Sequence, residues 1–257
     1  MDIRSLTVIS ILSLSAVLPL RVRADSEQTQ PLSVDETLKL LDTRGMQGDI
    51  PQHYQKLRHA NPAAREKLYE ILRDDKQMER WQPAIGLFAY VGDQADVQKL
   101  VDFTLGRKGK LEPAERNAVL AIFDALGGMA GRGVQGASEK LDLMTDPKYW
   151  AKVSFKIEPS PMDSGLTFVN GMVAQALVGY ALALRTDFSE KTTAVVNRIP
   201  DPAQRKLMEA HAVRIREFAA GWKESKERLE KTTDTNGPPS PSTGPQTRGQ
   251  LTQPHSP

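Results

Sequence analysis

The chain has no cysteine among its 257 residues. That excludes disulfide staples, thiolate-bound zinc, iron–sulfur clusters, thiol nucleophiles and a lipidated N-terminal cysteine. Histidine is scarce too, with four residues at 53, 59, 211 and 255, so imidazole metal centres have few ligands to draw on. An excess of one charge is also missing. The 34 basic and 32 acidic residues give a net charge of +2, and the first 24 residues hold three basic side chains and one acidic, which leaves the remainder neutral. Beyond residue 24 the composition therefore carries no net basic field for nucleic acid or an anionic membrane. What is present is apolar mass: 39% hydrophobic residues in a 28.4 kDa chain fill the core of one large domain or two small ones.

Long hydrophobic runs are absent except at the N-terminus, where residues 5–20 form an apolar stretch too short to cross a bilayer comfortably. Val22-Arg23-Ala24 places small residues at the −3 and −1 positions of a cleavage site, so the segment 1–24 reads as a secretory signal peptide cut before Asp25. Arg21 and Arg23 follow the apolar run while only Arg4 precedes it, an asymmetry that favours a retained membrane anchor as the alternative. An exported, cysteine-free protein suits a bacterial periplasm or a secreted state.

Period-2 alternation is nearly missing as well; residues 153–157 are the one candidate strand. Helical signals fill the rest. Ser33-x-x-Glu36 reads as a capping box, Gly45 and Gly48 as a stop, and 49–51 as the start of a short helix with Tyr54 and Leu57. Asn61-Pro62, Pro83, Asp93 to Asp96 and Glu112-Pro113 each open a further helix. Val119, Ile122, Phe123 and Leu126 recur at helical spacing, and the glycines at 127 and 128 read as the end of that helix. A glycine-rich turn (127–133) leads to a partner helix marked by Val134, Ala137, Leu141 and Met144, then to an irregular insertion from 146 to 164. Positions 166, 169, 173, 176, 177, 180 and 184 mark a long, mostly buried helix, Asp187-x-x-Glu190 caps its successor, and Pro202 starts a helix reaching about residue 231. The expected organisation is a linker at 25–31, an all-α domain at 32–231, and a disordered Pro/Ser/Thr-rich tail at 232–257.

Residues 85–92 (IGLFAYVG) align with 120–127 (LAIFDALG), placing Phe88 over Phe123, Val91 over Leu126 and Gly92 over Gly127 at a spacing of 35. The stretch 84–103 runs apolar helix, Val-Gly-Asp turn, then a second helix with Val97, Leu100 and Val101 facing the first, and in this order it resembles a HEAT-type, armadillo-like repeat. The resemblance covers 81–141 best. It implies a right-handed α-α superhelix of helical hairpins that presents one concave face to a partner, and it implies no chemistry. The alternative fold is an irregular helical bundle.

Chemical motifs are few. Gly131-Arg132-Gly133-Val134-Gln135-Gly136 matches G-x-G-x-x-G, yet no strand leads into it, so a helix–turn–helix connection is expected and not a nucleotide site. Asp163-Ser164-Gly165 and the pair Asp93/Asp96 read as helix caps. His211 falls on the apolar stripe of Leu207, Ile215, Phe218 and Trp222, as a packing residue. The interleaved lysines and aromatics at the start of the insertion are the candidate partner-binding surface: Tyr149, Trp150, Lys152 and Lys156, with core packing of Trp150 and Phe155 as the competing reading. No cofactor, metal or nucleic acid is expected. The partner is a protein, a membrane contact requires that residues 5–20 be retained, and the expected function is that of a non-catalytic, protein-binding scaffold of the cell envelope. An enzyme accessory or a hydrolase with an unrecognised site, and a membrane-tethered interaction module, are the alternatives.

Overall fold

The computed structural model describes residues 30–42, 56–157 and 165–235, with side chains as far as residue 228. The signal segment, the stop at Gly45 and Gly48, Tyr54, Asp163-Ser164 and the chain from 236 onward lie outside the described residues. Within them the protein is all-α.

Local chemistry accounts for most helix starts. Helix α1 (Val34–Lys39), continued by a 3-10 turn at Leu40–Asp42, begins with the Ser33/Glu36 capping box. Asn61 accepts from the Ala63 amide and leads through a 3-10 turn into α2 (Arg65–Arg73). A 3-10 segment at Asp75–Arg80 precedes α3 (Trp81–Val91), in which Pro83 is the third residue and not the first, still within the turn that needs no donor. Asp93 and Asp96 form the capping box of α4 (Gln94–Leu105), and Glu112 and Glu115 that of α5 (Pro113–Gly131). Gly136, at φ 86°, opens α6 (Ala137–Met144), and Asp146 caps the short α7 (Pro147–Trp150). Then come α8 (Phe168–Leu182), α9 (Phe188–Asn197) and α10 (Pro202–Thr235), which extends four residues past the expected boundary. Two-residue strands β1 (Gly109–Lys110) and β2 (Phe155–Lys156), from the α4–α5 and α7–α8 connections, pair in parallel.

Helices α3, α5, α8 and α10 stack side by side and run in the same direction. At their N-terminal ends Trp81 packs edge-on against Phe103, Arg107 lies over both rings and pairs with Glu115, and Phe155 packs edge-on against Phe168. The Gln204 side chain accepts from the Thr167 amide at 2.8 Å and from the Asn170 side chain at 3.1 Å. Toward the other ends Gly92 lies against Met129, and Trp222 packs on Leu182 and Val178. The intervening helices α4, α6 and α9 form a second layer, with α6 touching both α5 and α8. Phe88 and Phe123 are both fully buried in the core.

The aligned glycines do not match each other. Gly92 ends α3, but α5 continues through Gly127 and Gly128 to Gly131, so the expected stop and turn at 127–133 begin four residues too early. The cause is helix-on-helix packing. A Cβ on Gly127 would fall well inside contact with the Gly179 carbonyl oxygen, and one on Gly179 would lie 2.6 Å from the Phe123 carbonyl oxygen and 2.8 Å from Leu141 Cδ2. Helices α5 and α8 therefore cross backbone to backbone, a distance that only glycine permits. Asp187 also departs from expectation: it precedes α9 without a side-chain cap, its carboxylate taken instead by Arg185 and the Tyr180 hydroxyl. The helix before it closes with Leu184 in the left-handed region (φ 53°), where glycine is usual.

Candidate functional site

The four residues expected at the partner-binding surface separate into packing and solvated groups. Trp150 is 1% exposed; its indole N–H donates to the Met144 carbonyl at 2.7 Å and its ring packs 5.6 Å from Phe123. It is a core residue and not a surface anchor, because the short α7, capped by Asp146 and begun by Pro147, packs against α6 and α8. Phe155 is likewise buried. Tyr149 is half-buried, stacked edge-on over Trp150, with burial raising its hydroxyl pKa and no hydrogen bond to that hydroxyl among the described residues. Lys152 and Lys156 remain exposed. The β1–β2 ladder places Lys156 in register with Lys110, so two lysine-bearing segments 46 residues apart in the chain share one solvated edge.

The remaining motifs have structural duties. Asp96 is buried, accepting at 2.7 Å from the Tyr69 hydroxyl and pairing with Arg65, which also binds Asp93. In the glycine-rich turn, Gly133 and Gly136 take positive φ and Arg132 folds back to donate to the carbonyls of Ala89 and Phe88 at 2.8 and 3.4 Å and to that of Gly92. Arg132 thus closes the C-terminal end of α3, and its burial lowers its pKa to about 10. His211 is half-buried on α10, between the turns of Met208 and Ile215. Among the described residues no three His, Asp or Glu side chains gather as a metal site, and no helix is long and apolar enough to cross a membrane.

One group escaped the sequence reading. Helix α5 is flanked by α3 and α8 and backed by α6, so its residual accessible stripe, Asn117, Leu120 and Asp124, faces away from the second layer. Matching half-exposed stripes run along α3 (Gln82, Gly86, Tyr90) and α8 (Gly171, Gln175, Val178). Across residues 81–92, 117–131 and 166–184 the only charged side chain is Asp124. It has no hydrogen bond or ion pair among the described residues, and burial alone lifts its pKa to about 7, although the residue keeps partial solvent contact. The signal was available in the sequence as a lone aspartate in the otherwise uncharged run between Arg116 and Arg132. Trp222, 7% exposed on α10 against Val178 and Leu182, has an indole N–H that is also without a partner. The chain was compared with protein-family models, with curated proteins and with solved structures, and none matches it.

Proposed function

We propose that the chain is a non-catalytic, protein-binding scaffold of the bacterial cell envelope, carried to the periplasm or beyond by its N-terminal segment. The observation that carries this reading is the half-exposed face of α3, α5 and α8, whose one charged group, the Asp124 carboxylate, has no partner among the described residues. Surfaces that meet only water are dressed with charge, as α4 is here with exposed Lys99 and Asp102. A face without charge is poorly matched to water and well matched to another protein. The alternation of four parallel helices with a second layer supports a repeat architecture of HEAT-like hairpins wound as a right-handed superhelix, in which such a face is the working surface.

Site-specific photocrosslinking in envelope extract tests the reading. Crosslinkers at Gly86, Leu120 and Gly171 are expected to trap the same discrete partner, while those at Gln98 and Thr193 on the second layer trap none. Adducts absent from all positions, or spread equally over both layers, would contradict it.

A further inference from the structure

We propose that Asp124 is the anchor of this face, and that it receives a single lysine or arginine side chain presented by an otherwise uncharged segment of a partner protein. This rests on the scaffold reading and adds the chemistry of the partner.

A half-buried carboxylate loses hydration that a folded protein ordinarily restores with hydrogen bonds or a cation. Every other acidic group singled out above has that compensation: Asp96 has Arg65 and Tyr69, Asp187 has Arg185 and Tyr180, and Glu115 has Arg107. Asp124 has none. Residues 81–92, 117–131 and 166–184 contain neither lysine nor arginine, and Arg116, two turns before Asp124 on α5, forms no ion pair with it. The missing charge is therefore left for a partner to bring, and one carboxylate matches one cation. A partner segment bearing several charges would leave the rest desolvated over apolar surface.

The floor around Asp124 is rigid and shallow, which suits an incoming chain. The α5–α8 crossing at Gly127 and Gly179 fixes the backbone one turn away. Gly86 and Gly171 on the flanking stripes have open space where a Cβ would stand, so a docked segment approaches the backbone of α3 and α8 without a side chain in its way. With open backbone on both sides of Asp124, at Gly86 of α3 and Gly171 of α8, the floor fits a segment of chain better than a lone cation.

The probe is an acetylated and amidated helical peptide of alanine, leucine and glutamine, about twelve residues long, with one central arginine. It is titrated into the full chain and followed by amide NMR. Saturable shifts are expected at Asp124, Gly86 and Gly171, at least tenfold weaker for the same peptide with citrulline in place of arginine, and equally weakened in Asp124→Asn. The citrulline comparison uses the unaltered protein, so it decides even if the variant is perturbed. Equal binding of both peptides, no saturable shift, or full binding by Asp124→Asn would overturn the proposal. A response that emerges only in Arg248→Gln protein would give the face to the chain's own C-terminal segment and would overturn it too. Discrete crosslinks from the face combined with a failed titration would leave the scaffold reading standing and remove the cation from it.

Discussion

Alanine in place of Gly127 or Gly179 should destabilise the protein, whereas alanine in place of Gly86 or Gly171 should stabilise it, although all four glycines lie inside helices. The intrinsic gain on replacing a mid-helix glycine with alanine is about 0.5–1 kcal/mol at every one of these positions. At Gly86 and Gly171 a Cβ meets nothing within 4 Å, so the gain should be realised in full. At Gly179 the new Cβ would stand 2.6 Å from the Phe123 carbonyl oxygen, where ordinary contact begins at 3.4 Å, and at Gly127 the approach to the Gly179 carbonyl is tighter still. Both obstacles are helix backbone, which cannot swing aside as a flexible side chain would. The two helices must separate by close to an ångström, loosening Leu182 and Leu141 beside the crossing. Overpacking of this kind costs about 1–3 kcal/mol and outweighs the helix-propensity gain. Urea unfolding at constant m-value reads both signs, as a lower midpoint for Gly127→Ala and Gly179→Ala and a higher one for Gly86→Ala and Gly171→Ala. A neutral or stabilising Gly127→Ala would refute the backbone crossing of α5 and α8.

Asp124→Asn should change the pH dependence of stability. The folded carboxyl titrates at about 7 against an ordinary value of 3.8. The folded state therefore holds a proton that the unfolded chain has released, and the stability linked to this group is full below about pH 4 and lost as pH rises to about 7. Partial solvent contact reduces the effect, so at pH 8 the variant should exceed the parent by about 1–3 kcal/mol, with the difference vanishing near pH 4; a pH-independent difference would contradict the raised pKa. Trp150→Ala should cost about 3–5 kcal/mol in denaturant unfolding, whereas a near-neutral result would return Trp150 to the surface. Arg132→Met keeps the volume but strands the carbonyls of Phe88, Ala89 and Gly92, and should cost about 1–3 kcal/mol with faster amide exchange just past the end of α3; unchanged exchange there would show that the guanidinium does not cap that helix.

The features legible in the sequence were those set by neighbours along the chain. The boxes Ser33/Glu36 and Asp93/Asp96 and the Asn61 cap depend on three or four adjacent residues, and the pattern of Val119, Ile122, Phe123 and Leu126 names a buried stripe without reference to what covers it. Misreadings arose where a distant segment decides. Gly127 looks like a helix stop because the reason for a glycine there, the backbone of Gly179, is 52 residues away. Asp187 looks like a cap until Tyr180 and Arg185 claim its carboxylate. In the candidate surface, the alternation of lysine and aromatic residues from 148 to 156 looked alike in sequence, but α7 directs Trp150 inward while Lys152 and Lys156 stay in water. The significance of Asp124 needed the stacking order, since only the placement of α5 between two uncharged helices leaves its charge without a counterpart.

Carbon-detected NMR titration of the Asp124 side chain in the full chain measures directly whether that carboxylate stands without a partner on the face of α3, α5 and α8. A midpoint near 7, with no shift of that midpoint on raising the salt concentration, is the predicted result. A midpoint near the ordinary 3.8 would mean that the carboxylate is hydrated or already paired, and would contradict both the open face and the place kept there for a partner's cation.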